Sequence, residues 1–129
     1  FPSIVDPTAI IGKSVCLGDG TLIMLGVIIN TNSIISCFTI IITNASVDHD
    51  CLVEYYASIA PGVTIGGNSV IRELAHIGIG ATVSHMVEVG RNSLIGAGSL
   101  LLKSCSGDAV FYGVPAKFIR FREKDDVYL

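Results

Sequence analysis

Tryptophan is absent from this chain, charged residues make up only 15% of it, and no long apolar run occurs. Each absence excludes something. The most apolar stretch, Leu22 to Ile29, is broken by Gly26 and falls well short of the ~20 residues of a spanning helix, so no membrane partner is expected. The start has neither the basic region nor the cleavage pattern of a secretory signal. It also lacks an initiator methionine, so the chain is expected to be a domain cut from something longer. A net charge of −3 provides no basic surplus for nucleic acid. The four cysteines, Cys16, Cys37, Cys51 and Cys105, show no CxxC or zinc-ligand spacing, which points to a reducing, cytoplasmic setting. Half of the residues are hydrophobic, too many for disorder, and 129 residues suffice for one domain with a real core.

What is present is a repeat. Every sixth residue from Ile11 to Leu101 is Ile, Leu or Val, sixteen in succession, and the residue four places after each, from Val15 to Cys105, is small. Glycine follows the aliphatic at Gly12, Gly18, Gly66, Gly78, Gly90 and Gly96. A helix of period 3.6 cannot bury every sixth residue, and a strand of this length lies far outside strand lengths. Short strands with a corner after each hexad can bury it. Three hexads then form one triangular coil, and the sixteen hexads make about five coils, stacked as parallel strands ~4.8 Å apart. Such a solenoid is held by nearest-neighbour stacking and needs capped ends. The expected division is a lead-in segment 1–10, a β-helix 11–106, and a C-terminal cap and tail 107–129. Cys51 and Cys105 are read as inward-facing core residues three coils, or about 14 Å, apart, beyond disulfide reach.

Within Val47-Asp48-His49-Asp50-Cys51 the inward positions are Val47 and Cys51, so His49 lies outside, near a corner, between two acids. Asp50 can accept from one ring nitrogen, which fixes the tautomer and leaves the other to act as a base. Asp48 remains open as a corner residue.

The segment Ile41 to Cys51, with Ile59-Ala60-Pro61-Gly62 and Gly113-Val114-Pro115-Ala116-Lys117, resembles the hexapeptide-repeat sugar acetyltransferases of the sialic-acid and bacillosamine type, and the likeness runs from Phe1 through Lys117. The resemblance implies an all-β, left-handed parallel β-helix; the handedness comes from it alone, since general crossover rules favour the opposite sense. It also implies a homotrimer with active sites in the grooves between neighbouring helices. Acetyl-CoA would lie along the groove as co-substrate, and an amine or hydroxyl of a nucleotide-linked sugar would attack its thioester. Carried over by position, His49 would be the general base and Asp50 would polarise it. Ser58, Gly67, Ile79 and Ala97 would contact the cofactor, Lys117 would lie near its nucleotide end, and groove N–H groups would hold the oxyanion. No metal is expected. Two positions depart from the family: a common histidine is Ser58 here, and a common asparagine is Ile42. His76, one coil beyond Ser58, is expected to be a plain surface histidine. Relatives usually carry an N-terminal nucleotide-sugar-binding domain, which this chain is expected to lack.

Three further readings stand beside this one. Lys103, Lys117, Arg120, Arg122 and Lys124 form either a solvated tail or a docking site for an anion such as a CoA phosphate. His85 lies two coils from His49, about 9–10 Å away, which brings to mind the γ-class carbonic anhydrases. At Zn–N distances of about 2.0–2.1 Å the two cannot share an ion, so a metal hydrase would need His76 or His85 from a neighbouring chain. A purely structural solenoid is the last alternative, though it lacks the regular outward threonine rows of a dedicated binding face.

Overall fold

The computed structural model describes residues 1–123; Lys124 and the end of the tail lie outside the described residues. The described chain is a left-handed parallel β-helix of about six turns. Its strands β1 (Ile4–Val5) through β17 (Leu100–Leu101) are each two residues long, and the corners between them are equally regular. They form three sheets with parallel registers of one coil, such as Ser58↔His76 in the first, Val47↔Ile65 in the second and Leu52↔Val70 in the third. The turns exceed the number expected from Ile11 onward because β1 pairs with Leu22–Ile23 and β18 (Ala109–Gly113) pairs with Leu94–Ile95.

The repeat explains this geometry directly. In each strand the second residue is the repeat aliphatic, and from Ile23 to Leu101 these side chains are at most 3% exposed. Each buried Ile, Leu or Val contributes about 1.5–3 kcal/mol. Ile11 and Leu17, in the first coil, are only partly buried. The corner residue three places after each aliphatic has positive φ throughout, from Ser14 to Gly98. Asn32, Asn44, Asp50, Asn68 and Asn92 suit that conformation, whereas Phe38, Tyr56, Leu74 and Met86 do not. Phe38 and Tyr56 offset the strain by stacking at 5.6 Å, with Phe1 edge-on to Phe38. The same edge of the prism carries the ion pairs Arg72–Glu54, Arg72–Glu88 and Arg91–Glu73.

The last coil departs from the repeat. Leu101 still stacks on Val83, but Cys105 bridges to Val89, and Val110 pairs with Leu94. The coil is therefore two residues short, and Cys105 occupies a strand slot instead of the expected small corner position. It is half-buried against the core, Cys51 is buried, and all four cysteines are free. Strand β19 (Ala116–Phe121) folds back antiparallel on β18 and caps this end. Between the hairpin and the shortened corner lies a cavity of about 270 Å³, lined among others by Leu102, Lys103, Phe111, Lys117 and Phe118. Among the described residues no helix is long and apolar enough to cross a membrane.

Candidate functional site

The edge between the second and third sheets stacks Thr31, His49, Gly67 and His85 one above another, because Asn68 N–H donates to the His49 carbonyl and Met86 N–H to the Gly67 carbonyl. Val47 and Cys51 are buried on either side of His49, which forces its ring outward. Asp50 follows in the left-handed conformation (φ 56°). That turn brings its Oδ2 to 2.9 Å from His49 Nδ1, with both side chains about half exposed. The carboxylate therefore accepts the Nδ1 proton and leaves the Nε2 lone pair facing away from it.

Nε2 points over Gly67. A Cβ on Gly67 would lie 2.6 Å from it, so only glycine leaves room for the ring in this position. The cap found one coil earlier is also missing here. Asn30 Oδ1 accepts from Thr31 N–H at 2.7 Å and Asp48 Oδ1 from His49 N–H at 2.8 Å, whereas the corresponding residue before Gly67 is Gly66. Among the described residues the Gly67 N–H has no acceptor. A proton acceptor and an uncommitted N–H donor thus sit side by side, the pair that acyl transfer requires. Asp48, left open by the sequence, caps the backbone of His49 and is itself held by Asn30 Nδ2 at 3.0 Å.

The other expected residues lie elsewhere on the prism. Ile79, which is exposed, and Ala97 occupy the edge between the first and second sheets, beside Gly80 and Gly98, whose surroundings are open. A full side of the prism, six residues or at most about 20 Å of chain, separates this edge from His49. One chain brings His49, Asp50 and Gly67 together and holds Ile79 and Ala97 apart from them. Lys117 lines the cavity under the capping hairpin, together with Lys103.

Ser58 faces outward on the first sheet, and its Oγ lies 2.6 Å from His76 Nδ1. His76 is only 7% exposed, so the expectation of a surface histidine is incorrect. The outward positions of this sheet pass from exposed at Ile4 and Ile40 to buried at His76, Leu94 and Val110, toward the capped end. His85 is exposed, with Nδ1 3.5 Å from Ser84 Oγ. Among the described residues no three His, Cys, Asp or Glu side chains cluster as metal ligands. Burial raises the Cys51 thiol above its ordinary pKa, and its Sγ points to the Gly66 carbonyl at 3.2 Å. It is a protonated core thiol beside the site, unsuited to act as a nucleophile.

No family model matches the chain. It is 31% identical over 128 residues to a serine acetyltransferase of Buchnera aphidicola subsp. Acyrthosiphon pisum, a match covering 92% of this chain and 39% of the relative. It is 34% identical over 96 residues to the GDP-perosamine N-acetyltransferase of Escherichia coli O157:H7, covering 74% and 43% of the two chains. Among solved structures, the acetyltransferase domain of PglB from Neisseria gonorrhoeae FA1090, in complex with acetyl coenzyme A, superposes with a TM-score of 0.90 at 31% identity. That match covers 92% of this chain and 58% of the other. A histidine mutant of GDP-perosamine N-acetyltransferase from Caulobacter crescentus, in complex with CoA and GDP-perosamine, gives 0.90 at 34% identity, covering 91% and 56%. The chain thus spans well under half the length of these curated relatives and somewhat over half that of the solved chains. Over more than nine-tenths of its length the chain is a hexapeptide-repeat left-handed β-helix of the kind found in the PglB and perosamine acetyltransferases.

Proposed function

We propose that the chain is the catalytic β-helix of an acetyl-CoA-dependent acetyltransferase acting on an amine or hydroxyl of a nucleotide-linked sugar. The observation that carries this reading is the Asp50-held imidazole of His49, with Nε2 above Gly67 and the uncapped Gly67 N–H beside it. The acceptor's nitrogen or oxygen attacks the thioester carbonyl carbon while Nε2 takes its proton. The developing oxyanion accepts from the Gly67 N–H, and Asp50 stabilises the imidazolium. Collapse of the tetrahedral intermediate breaks the C–S bond. The CoA thiolate leaves, the imidazolium returns the proton to it, and the acetyl group remains on the acceptor. Cys51 takes no part.

Binding acetyl-CoA then requires a second copy. A cyclic arrangement that sets the His49 edge of one prism against the Ile79–Ala97 edge of the next closes with three triangular prisms, the second sheets facing the axis. The exposed Ile10 and Ile28 on that face support burial there. In this homotrimer Ile79 and Ala97 line the groove opposite His49, and Lys117 with Lys103 meets the phosphates at the nucleotide end. Ser58, engaged by His76, braces the groove wall. A reducing, cytoplasmic location fits the free cysteines.

Heating the protein with and without acetyl-CoA tests the binding half of the proposal. At a concentration 100 times Kd the ligand adds about 2.7 kcal/mol and raises the melting temperature by several degrees. A chain that melts identically with saturating acetyl-CoA is a structural solenoid, and a stoichiometric divalent metal in the purified protein would favour the hydrase reading.

A further inference from the structure

His49 has a carboxylate on each side, yet only one of them takes its ring. The Asp50 Oδ2 is 2.9 Å from Nδ1, while Asp48 Oδ1 receives two other donors, the His49 backbone N–H at 2.8 Å and Asn30 Nδ2 at 3.0 Å. Asn30 lies one coil earlier, directly in stack with Asp48. Its own Oδ1 accepts from Thr31 N–H at 2.7 Å, which orients the amide and directs the Nδ2 donor at Asp48. Among the described residues no other donor reaches the Asp48 carboxylate, and both residues are exposed on the single chain, so water competes for each bond.

We propose that Asn30 is a positioning residue for the reaction: it holds Asp48 on the backbone so that Asp50 alone accepts from the His49 ring, at Nδ1. Without the amide, Asp48 keeps a single exposed hydrogen bond, to the N–H of the very residue that carries the imidazole. A carboxylate drawn to the ring from the Asp48 side turns it off Gly67 and accepts from Nε2–H, while Asp50 accepts from Nδ1–H, so the two tautomers mix. Asn30 touches neither substrate nor cofactor in this account; it acts through Asp48. The catalytic consequence rests on the reading of His49 as base, but the effect on the ring does not.

The test is therefore spectroscopic first. The protein has three histidines, so ¹⁵N-labelled imidazoles can be assigned by substituting His76 and His85 in turn. The parent should show His49 as a single tautomer with the proton on Nδ1. Asn30→Ala should move its two nitrogen signals toward the tautomer average, and Asn30→Ala combined with Asp48→Ala should restore the parent pattern, because the competitor is gone. Acetyl transfer should follow the same order: kcat falls roughly tenfold in the single variant, KM for acetyl-CoA stays within about twofold, and the double variant is faster than Asn30→Ala alone. A His49 spectrum unchanged in Asn30→Ala, or one equally disturbed in the double variant, overturns the proposal. If the tautomer shifts as expected while transfer is unaffected, Asn30 does position the ring but not for catalysis. That outcome overturns the positioning role in the reaction, and with it the assignment of His49 as base.

Discussion

At the scale of single residues, the site depends on a space as much as on a group. Gly67 does not need glycine for its φ; it needs the absence of a Cβ beneath Nε2. Gly67→Ala should therefore fold normally, with a melting temperature within a few degrees of the parent, yet lose at least about tenfold in kcat because the ring is displaced. An active Gly67→Ala would mean that Nε2 is not held where the reaction needs it. The His49–Asp50 pair was legible in the sequence, since buried Val47 and Cys51 force the histidine outward and Asp50 is its neighbour. The gap at Gly67 and the clamp from Asn30 lie one coil to either side. Eighteen-residue stacking carried the signal for both, but only a corner geometry tells which stacked atoms meet. The burial of His76 was not legible, because it depends on how the capped end of the first sheet is covered and not on its place in a hexad.

Among the elements, the corners govern local stability. Met86 sits at φ 56° with a largely exposed side chain, so it carries left-handed strain without packing to offset it. Met86→Asn should stabilise the fold by about 0.5–1 kcal/mol in urea unfolding, whereas Tyr56→Asn should gain less or lose stability, because the stack on Phe38 is forfeited. The corner ladder has its own pH dependence. The Arg72 guanidinium, by hydrogen bond and charge, holds Glu88 below the ordinary carboxylate range. A depressed folded pKa means that this stabilisation is complete above the unfolded value, about 4.3, and is lost as pH falls through the folded one. Acid titration of unfolding midpoints should show the parent losing stability below about pH 4.5, with a shallower loss in Arg72→Met. The exposure of the pair keeps the difference small, on the order of 0.5 kcal/mol. The corners were legible in the sequence as positions but not as conformations: Phe38, Tyr56 and Leu74 are not residues one would assign to the left-handed region, and the repeat alone places them there. The shortened last coil escaped for the converse reason, since Cys105 satisfies the small-residue pattern while occupying a different slot.

The whole molecule is a stack in which each coil meets only its neighbours, so the parts of the candidate site are distributed along edges rather than gathered in a cleft. The inward column was readable in full from Ile23 to Leu101 because burial obeys one period. How the edges of separate copies meet is not written in that period, which concerns only the inside. His49 and Gly67 lie on one edge and Ile79 and Ala97 on another, and the proposed function has the two edges face each other across a trimer. Light scattering should give three times the chain mass, and Ala97→Trp on one edge should weaken acetyl-CoA binding while leaving the His49 tautomer unchanged. The central claim is that His49 is the base for transfer from acetyl-CoA. The most direct measurement is CoA release with an amino- or hydroxy-sugar nucleotide acceptor, comparing the parent with His49→Ala at saturating acetyl-CoA, both proteins first shown to bind it equally. The account predicts a loss of at least about 100-fold in kcat with acetyl-CoA affinity unchanged; transfer by His49→Ala at the parent rate would contradict it.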